Sequence, residues 1–410
     1  MLYFKNSELA YTYHVSVRTV RNWIEAAKQG KLDLDLHSQG NKTYVSNTSR
    51  NLSTIEQLVE RGKKYRPHRA VKTVTPKPEF YELFNDAQIY DIIRSIEIYS
   101  EIPHQYSYFN GGARHFDEYA QRMATEETPN TLTSTVLLIE RNQSYFDELL
   151  NKYSRINIID VGVGNGLPVR SLIDHLKKAG KMGRYIGLDI SPEMLGIAHK
   201  NIKKWFGGKP LFEGYEIDIN YERFSNIVAS EYLSEHSSST ANIILFLGGT
   251  LSNLREPERA FKAIRDSMGA HDILIHSQKL DSPLSRRYFD FNSENGFAQS
   301  PTLAPIHKFI VDMMGIDKAF YDIEMGYDDI RRERHISIRF NVALSLELSF
   351  ADGGRMLNFN KGDNILLWRA RQSSALDVVG LLDSCGLYTL QSSQTEDQEY
   401  LLTVSQIKHG

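Results

Sequence analysis

The sequence predicts an α/β fold centred on a Rossmann-like, mostly parallel sheet over residues 151–280. Three observations predict it. From Ile156 onward, short apolar runs (INIIDVGV, YIGLDI, GYEIDI, NIILFLGG, DILIHS) alternate with helical stretches, the pattern of a sheet covered by helices on both faces. The first run breaks into a turn carrying Gly162, Gly164 and Gly166. The second and third runs each lead into an aspartate, Asp189 and Asp218.

Residues 1–70 form the first element. NSELAYTYHVSVRTVRNWIEAAKQGKL reads as two short helices around a tight HVS connection, with Ser7 and Ser16 as caps. Val17, Val20, Trp23 and Ile24 recur at helical spacing, which leaves Arg18, Thr19, Arg21 and Asn22 on the outer side. LDLDLHSQGNKTYVS alternates apolar and polar residues around a Gly-Asn turn, as a hairpin wing would. The segment resembles the winged helix-turn-helix modules of the MerR and excisionase type, a resemblance that implies DNA as a possible partner. A module that only caps or dimerises the body is the alternative.

The basic, proline-bearing stretch that follows lacks apolar periodicity and reads as a linker, placed at 71–79. Residues 80–150 read as a helical region that would act as a substrate lid, interrupted by a loop at Asn110-Gly111-Gly112. Residues 281–410 read as a substrate subdomain and the C-terminal completion of the core. Within them HISIRFNVALSLELSF is expected as a strand pair, and ALDVVGLLDSCGLYTL with EYLLTVSQI as a final helix and strand.

Composition narrows the class. A chain of 410 residues is long for one domain. No run of about 18 apolar residues suggests a membrane span, and the opening MLYFKNSELAYTYH lacks the sections of a signal peptide, so a cytoplasmic protein without membrane contact is expected. The single cysteine, Cys385, reads as core and excludes an internal disulfide. Residues 1–75 hold 13 Lys/Arg against 6 Asp/Glu, or +7, which leaves −10 of the net −3 for the remainder. A basic front on an acidic body points to an anionic partner for the front. His271, His276 and His307 lack a compact metal-ligand spacing, and no metal is expected.

The chemistry lies at the strand ends. Glycines at 162, 164 and 166 let the backbone approach a ligand, with the amides of the next helix facing it. Asp189 would accept hydrogen bonds from both hydroxyls of a ribose, and Asp218 would meet an adenine edge. Glycine loop, acid and acid on successive strands is the order of a class I S-adenosylmethionine (SAM)-methyltransferase more than that of a nicotinamide enzyme. The fourth run breaks at Gly248-Gly249-Thr250, which would line the floor beside the transferring methyl.

FLGGTLSN, together with the glycine loop and GLDIS, resembles the histidine-specific Nα-methyltransferase family of ergothioneine biosynthesis, from roughly Tyr108 to the C-terminus. The resemblance implies SAM as cofactor, with Gly162 and Asp189 at cofactor positions, Asp218 at the adenine contact and a cofactor-contacting tyrosine at Tyr108. It implies Asn253 and Tyr288 as holders of a substrate α-carboxylate, for which both are apt hydrogen-bond donors. The chain departs from the family at two places. Thr128 falls where the family has a tyrosine that clamps imidazole. Asn358 and Asn360 fall where it reads imidazole with an acid and a hydroxyl. The expected function is methylation of an amino acid or amino-acid-like small molecule at an amine, with histidine itself disfavoured. A DNA-binding regulator with a SAM- or metabolite-sensing body is the alternative. Methylation of a nucleic acid by this domain is disfavoured, because no Asn-Pro-Pro-aromatic or Asp-Pro-Pro-aromatic site is present.

Overall fold

A computed structural model describes residues 3–13, 15, 17–40, 42–65, 71–233, 239–282, 302–350 and 353–408. The chain divides into two compact units, residues 1–71 and 72–410.

The front unit contains β1 (Tyr3–Phe4), α1 (Asn6–Thr12), α2 (Val17–Lys28), β2 (Leu36–Gln39), β3 (Lys42–Ser46) and α3 (Ser49–Tyr65). The strands form an antiparallel sheet in the order β1-β3-β2. Leu9, Val20, Ile24, Leu34, Val45 and Ile55 bury one small core between the helices and the hairpin. Asn51, fully buried, fastens the root of the hairpin: its Oδ1 accepts from the Asp35 amide at 2.9 Å, and its Nδ2 donates to the carbonyls of Asp35 (2.8 Å) and Ser46 (2.9 Å). Several expectations need correction here. Ser7 lies inside α1, and the N-terminal amide of that helix is met instead by Glu8, whose Oε2 accepts from Lys5 N at 2.9 Å. Val17 is exposed rather than on the buried stripe. Ser16 lies outside the described residues.

The larger unit opens with β4 (Lys72–Val74), α4 (Pro78–Leu83), α5 (Asp86–Tyr99), a 3-10 turn (His104–Tyr108), α6 (Gly111–Met123), α7 (Thr131–Arg141) and α8 (Gln143–Leu149). The expected linker is therefore partly ordered: β4 pairs in parallel with residues 344–346 further along the chain. Gly111 and Gly112, expected in a loop, are the first residues of α6. Glycine is needed at 112 because a Cβ there would collide with the Ser107 carbonyl oxygen.

The core follows as β5 (Arg155–Val161), α9 (Arg170–Lys178), β6 (Met182–Asp189), α10 (Pro192–Phe206), β7 (Phe212–Glu216), α11 (Ser225–Tyr232), β8 (Thr240–Phe246), α12 (Thr250–Asn253), α13 (Pro257–Ser267) and β9 (Ile273–Lys279). Then come α14 (Pro305–Met313), β10 (Tyr321–Asp328), β11 (Glu333–Phe340), β12 (Leu344–Phe350), β13 (Gly353–Phe359), β14 (Asn364–Arg371), α15 (Ala375–Ser384), β15 (Leu387–Gln394) and β16 (Tyr400–Ile407).

Seven strands form the central sheet in the order β15-β16-β9-β8-β5-β6-β7. The five strands from β9 to β7 are parallel, while β16 runs antiparallel to both β9 and β15, so the sheet is mixed. Strand alternation sorts the apolar residues to two faces. Ile156 and Ile158 of β5 join a core with Leu172 and Ile202, while Ile159 and Val161 join another with Phe261 and Leu382. Each such buried side chain contributes roughly 1.5–3 kcal/mol. A third core belongs to the subdomain and unites Phe80, Ile92, Ile310, Ile338 and Leu346.

β11 and β12, expected to pair with each other, belong to different three-stranded sheets, β10-β11-β14 and β13-β12-β4. No helix among the described residues is long and apolar enough to cross a membrane.

Candidate active site

β7, β6, β5 and β8 are neighbours and parallel, so their carboxyl ends open on one edge of the sheet, where an α/β fold binds ligands. Gly162, Gly164 and Gly166 follow β5 with φ of +69°, +54° and +75°, the left-handed region that glycine enters without strain. The Thr250 side chain packs over Gly162 and the Phe116 ring over Gly164; a Cβ at either glycine would lie 3.2 Å from them. α9 begins only at Arg170, four residues beyond Gly166, so its N-terminus is set back from the loop. Asn165 turns the intervening chain by accepting from Leu167 N at 3.1 Å.

Asp189 closes β6. Its Oδ1 accepts from Ser191 N at 3.0 Å and its Oδ2 from Gly164 N at 3.4 Å, so one carboxylate joins two strand ends. Burial pushes its pKa up to about 6, against the opposing effect of these amides. It does not cap α10; Ser191 does, accepting from Met194 N at 3.2 Å. Ser191 Oγ also donates to the Tyr108 carbonyl at 2.7 Å. That bond brings the 3-10 turn to the end of β6. The Tyr108 phenol lies 2.9 Å from His104 Nε2, and its ring meets Phe116 edge-on, 5.3 Å between centroids. Burial, then the nearby Asp189 charge, pushes the Tyr108 phenol well up from its ordinary value. Burial, then neighbouring His307, holds the His104 imidazole well below its ordinary pKa and so neutral.

Asp218, two residues past β7, accepts from Asn220 N and Nδ2 at 2.9 Å each, and from Gln105 Nε2 at 3.4 Å. Burial raises its pKa. At the end of β8, Gly248 takes φ +73° and donates its amide to Ser277 Oγ at 3.1 Å. Asn253 ends α12, and with Asp91, Glu101, His104, Gln105 and Arg255 it lines a cleft open to solvent.

The structure thus brings Gly162, Gly164, Gly166, Asp189, Asp218, Gly248, Tyr108 and Asn253 to one end of the sheet. Thr128 is exposed in the loop before α7 and does not line the cleft. Tyr288 lies outside the described residues. Asn358 donates no contact to the cleft; its Oδ1 accepts from Ser345, while Asn360 bonds Asp363. His276 is satisfied by the Phe246 carbonyl and Gln278, and no three His, Cys, Asp or Glu residues gather as metal ligands among the described residues. Sequence reasoning missed His104, Gln105 and Arg255. The polar-aromatic run HQYSYF inside a helical region was the available signal for the first two.

The residues present suit SAM: a backbone bared by three glycines, a carboxylate at the second strand end and another at the third. A comparison with curated protein sequences gave no match. Among solved structures, the chain is similar to a SAM-dependent methyltransferase from Clostridium acetobutylicum (12% identity, 72% of this chain and 99% of that one, TM-score 0.40). It is also similar to the PH0226 protein from Pyrococcus horikoshii (15%, 73% and 100%, TM-score 0.39). A third likeness is to magnesium protoporphyrin IX methyltransferase from Synechocystis, solved with bound SAH (11%, 72% and 95%, TM-score 0.36). The model of the histidine-specific, SAM-dependent methyltransferases matches residues 88–407, most of the chain. The chain belongs to that family and is a SAM-dependent methyltransferase.

Proposed function

We propose that the enzyme methylates an amine of an amino-acid-like small molecule other than histidine. The carrying observation is the cleft beside Asp218, where Asn253 and Arg255 stand with the carboxylates Asp91 and Glu101. A zwitterion suits such a lining: its carboxylate takes donors from Asn253 and Arg255, and its ammonium faces the acids. Exposed Thr128 offers no ring to clamp imidazole, and Asn358 and Asn360 are engaged with Ser345 and Asp363, which supports a different side chain on the substrate.

SAM supplies an already activated sulfonium methyl. The protein's own work is therefore to bind and align. Gly162, Gly164 and Gly166 admit the cofactor's chain close to the backbone, Asp189 accepts its ribose hydroxyls, Asp218 borders its base, and Gly248 lies beside the transferring methyl. Asn253 fixes the substrate carboxylate, so that the amine is held in line rather than searching. The amine must arrive neutral to attack the methyl.

The test is a mass-spectrometric screen of the purified protein with SAM and pools of amino acids and related metabolites, histidine included. The expected result is S-adenosylhomocysteine together with a product heavier by one or more methyl groups, from a substrate other than histidine. Turnover of histidine alone, or of no pool despite SAM binding, refutes the reading.

A further inference from the structure

We propose that Gln105 reads the adenine of the cofactor together with Asp218: the Gln105 amide donates to a ring nitrogen beside the exocyclic amine, and Asp218 Oδ2 accepts from that amine. Asp218 is here the place of the base, as in the proposed function, on which this role for Gln105 rests.

The two carboxylate oxygens of Asp218 are unequally occupied. Oδ1 takes both donors of Asn220, the backbone N and Nδ2, at 2.9 Å each. Oδ2 meets the Gln105 Nε2 at 3.4 Å, beyond the roughly 2.7–3.2 Å usual for such a bond. A carboxylate oxygen accepts through two lone pairs, so Oδ2 has room for a further donor. Gln105 has spare capacity too. Its side chain is half-buried, and its second N–H and its amide carbonyl bond no other described residue. Since Asn220 already holds Asp218 through two shorter bonds, the long Gln105 contact adds little as a prop.

The backbone that carries Gln105 is fixed to both strand ends of the cofactor site. Further along the same 3-10 turn, the Tyr108 carbonyl accepts from Ser191 Oγ at 2.7 Å, just past Asp189 at the end of β6. Tyr106 donates to Asp91 Oδ2 at 3.0 Å, and Tyr221, three residues beyond Asp218, donates to Asp91 Oδ1 at 3.2 Å. One carboxylate on α5 thus ties the turn to the loop after β7. Gln105 lines the cleft with Asn220 and Tyr221, so its amide stands beside Asp218 before any ligand arrives. A group fixed in this way loses little freedom on binding.

The pair presents a donor next to an acceptor. Adenine presents the complement, an amine next to ring nitrogens that accept, and a glutamine amide is one of the groups suited to that edge. Guanine has a carbonyl in place of the amine, which would set oxygen against the Asp218 carboxylate. Asp218 alone selects for an amine; with Gln105 the site also demands an acceptor beside it.

The experiment is calorimetric titration of the full chain, and of its Gln105→Met and Asp218→Ala variants, with S-adenosylhomocysteine and its 1-deaza and 7-deaza analogues. Each analogue has C–H in place of one ring nitrogen beside the amine. One of the two should bind the parent about three- to ten-fold more weakly than S-adenosylhomocysteine, as loss of one neutral hydrogen bond requires. Gln105→Met should weaken S-adenosylhomocysteine by a similar factor and leave that analogue's affinity as it is in the parent. Asp218→Ala should weaken all three ligands, with far-UV circular dichroism unchanged in both variants. Equal affinity of the parent for all three ligands, no loss of S-adenosylhomocysteine binding in Gln105→Met, or an equal loss of all three there, overturns the role of Gln105 while leaving Asp218 in place. Unchanged S-adenosylhomocysteine affinity in Asp218→Ala overturns the placing of the base and this role with it.

Discussion

The Tyr185 hydroxyl donates to Asp160 Oδ2 at 2.8 Å, and the same hydroxyl lies 3.6 Å from where a Cβ on Gly166 would stand. The pair is buried and supports the glycine loop from below. Removing the donor in Tyr185→Phe leaves a buried carboxyl without it, at a cost of about 1–3 kcal/mol, read as a lower denaturant midpoint at pH 7. An unchanged midpoint would show that the pair carries no stability.

Asp160 also predicts a pH dependence. Burial raises its pKa from 3.8 to about 7, partly opposed by the Tyr185 hydrogen bond. A raised folded-state value means that the protonated form is favoured in the fold. The resulting stabilisation is complete below about pH 3.8 and disappears as pH rises through 7. Asp160→Asn cannot lose a proton, so its stability relative to the parent should climb between pH 4 and pH 7 and level off above. Denaturant titrations at several pH values measure this; a flat difference refutes it.

Asp189 joins the ends of β5 and β6, so its substitution should act on the cofactor. Asp189→Ala is expected to weaken SAM binding roughly ten- to a hundred-fold, as loss of hydrogen bonds to a charged acceptor would. Its pKa near 6 adds a second expectation: the parent should bind SAM less tightly below about pH 6, where the carboxylate gains a proton, and Asp189→Asn should lack that fall. Calorimetric titration at pH 5.5 and 7.5 checks both.

Gly162 combines a positive φ with a close neighbour. Gly162→Ala should weaken SAM binding through a left-handed alanine, roughly 1–2 kcal/mol, and through crowding of Thr250 at 3.2 Å. Adding Thr250→Ala removes the crowding and leaves the backbone strain. The double variant should therefore recover part of the affinity, and full recovery or none would contradict this division.

Asn253 lines the cleft. Asn253→Ala should raise KM for an amino-acid-like substrate with little change in SAM affinity. Equal losses for both ligands would place the residue in the cofactor site instead.

Much of the sheet and its strand ends was legible because local signals coincide there. Continuous apolar runs mark buried strands, and glycines or acids mark where each run stops. Gly111 and Gly112 misled because glycine speaks for a turn, whereas here it serves a close approach to Ser107 at a helix start. β11 and β12 follow one another closely yet diverge, since each forms a hairpin with its other neighbour, β11 with β10 and β12 with β13, and β14 and β4 complete the two sheets. Arg255 and His104 were invisible as a pair for the same reason. Only the folded chain brings them to one cleft, and nothing near either residue announces the other.

The position of β16 between β15 and β9 has a consequence for biosynthesis. The glycine loop, both aspartates and Asn253 have all been made by the time residue 253 is added, yet the sheet beneath them is still incomplete. Until Tyr400–Ile407 arrives, β9 presents an unpaired edge of backbone donors and acceptors, a template for pairing with another chain. A ribosome that stalls before that strand thus leaves the glycine loop, both aspartates and Asn253 translated beside an open sheet edge.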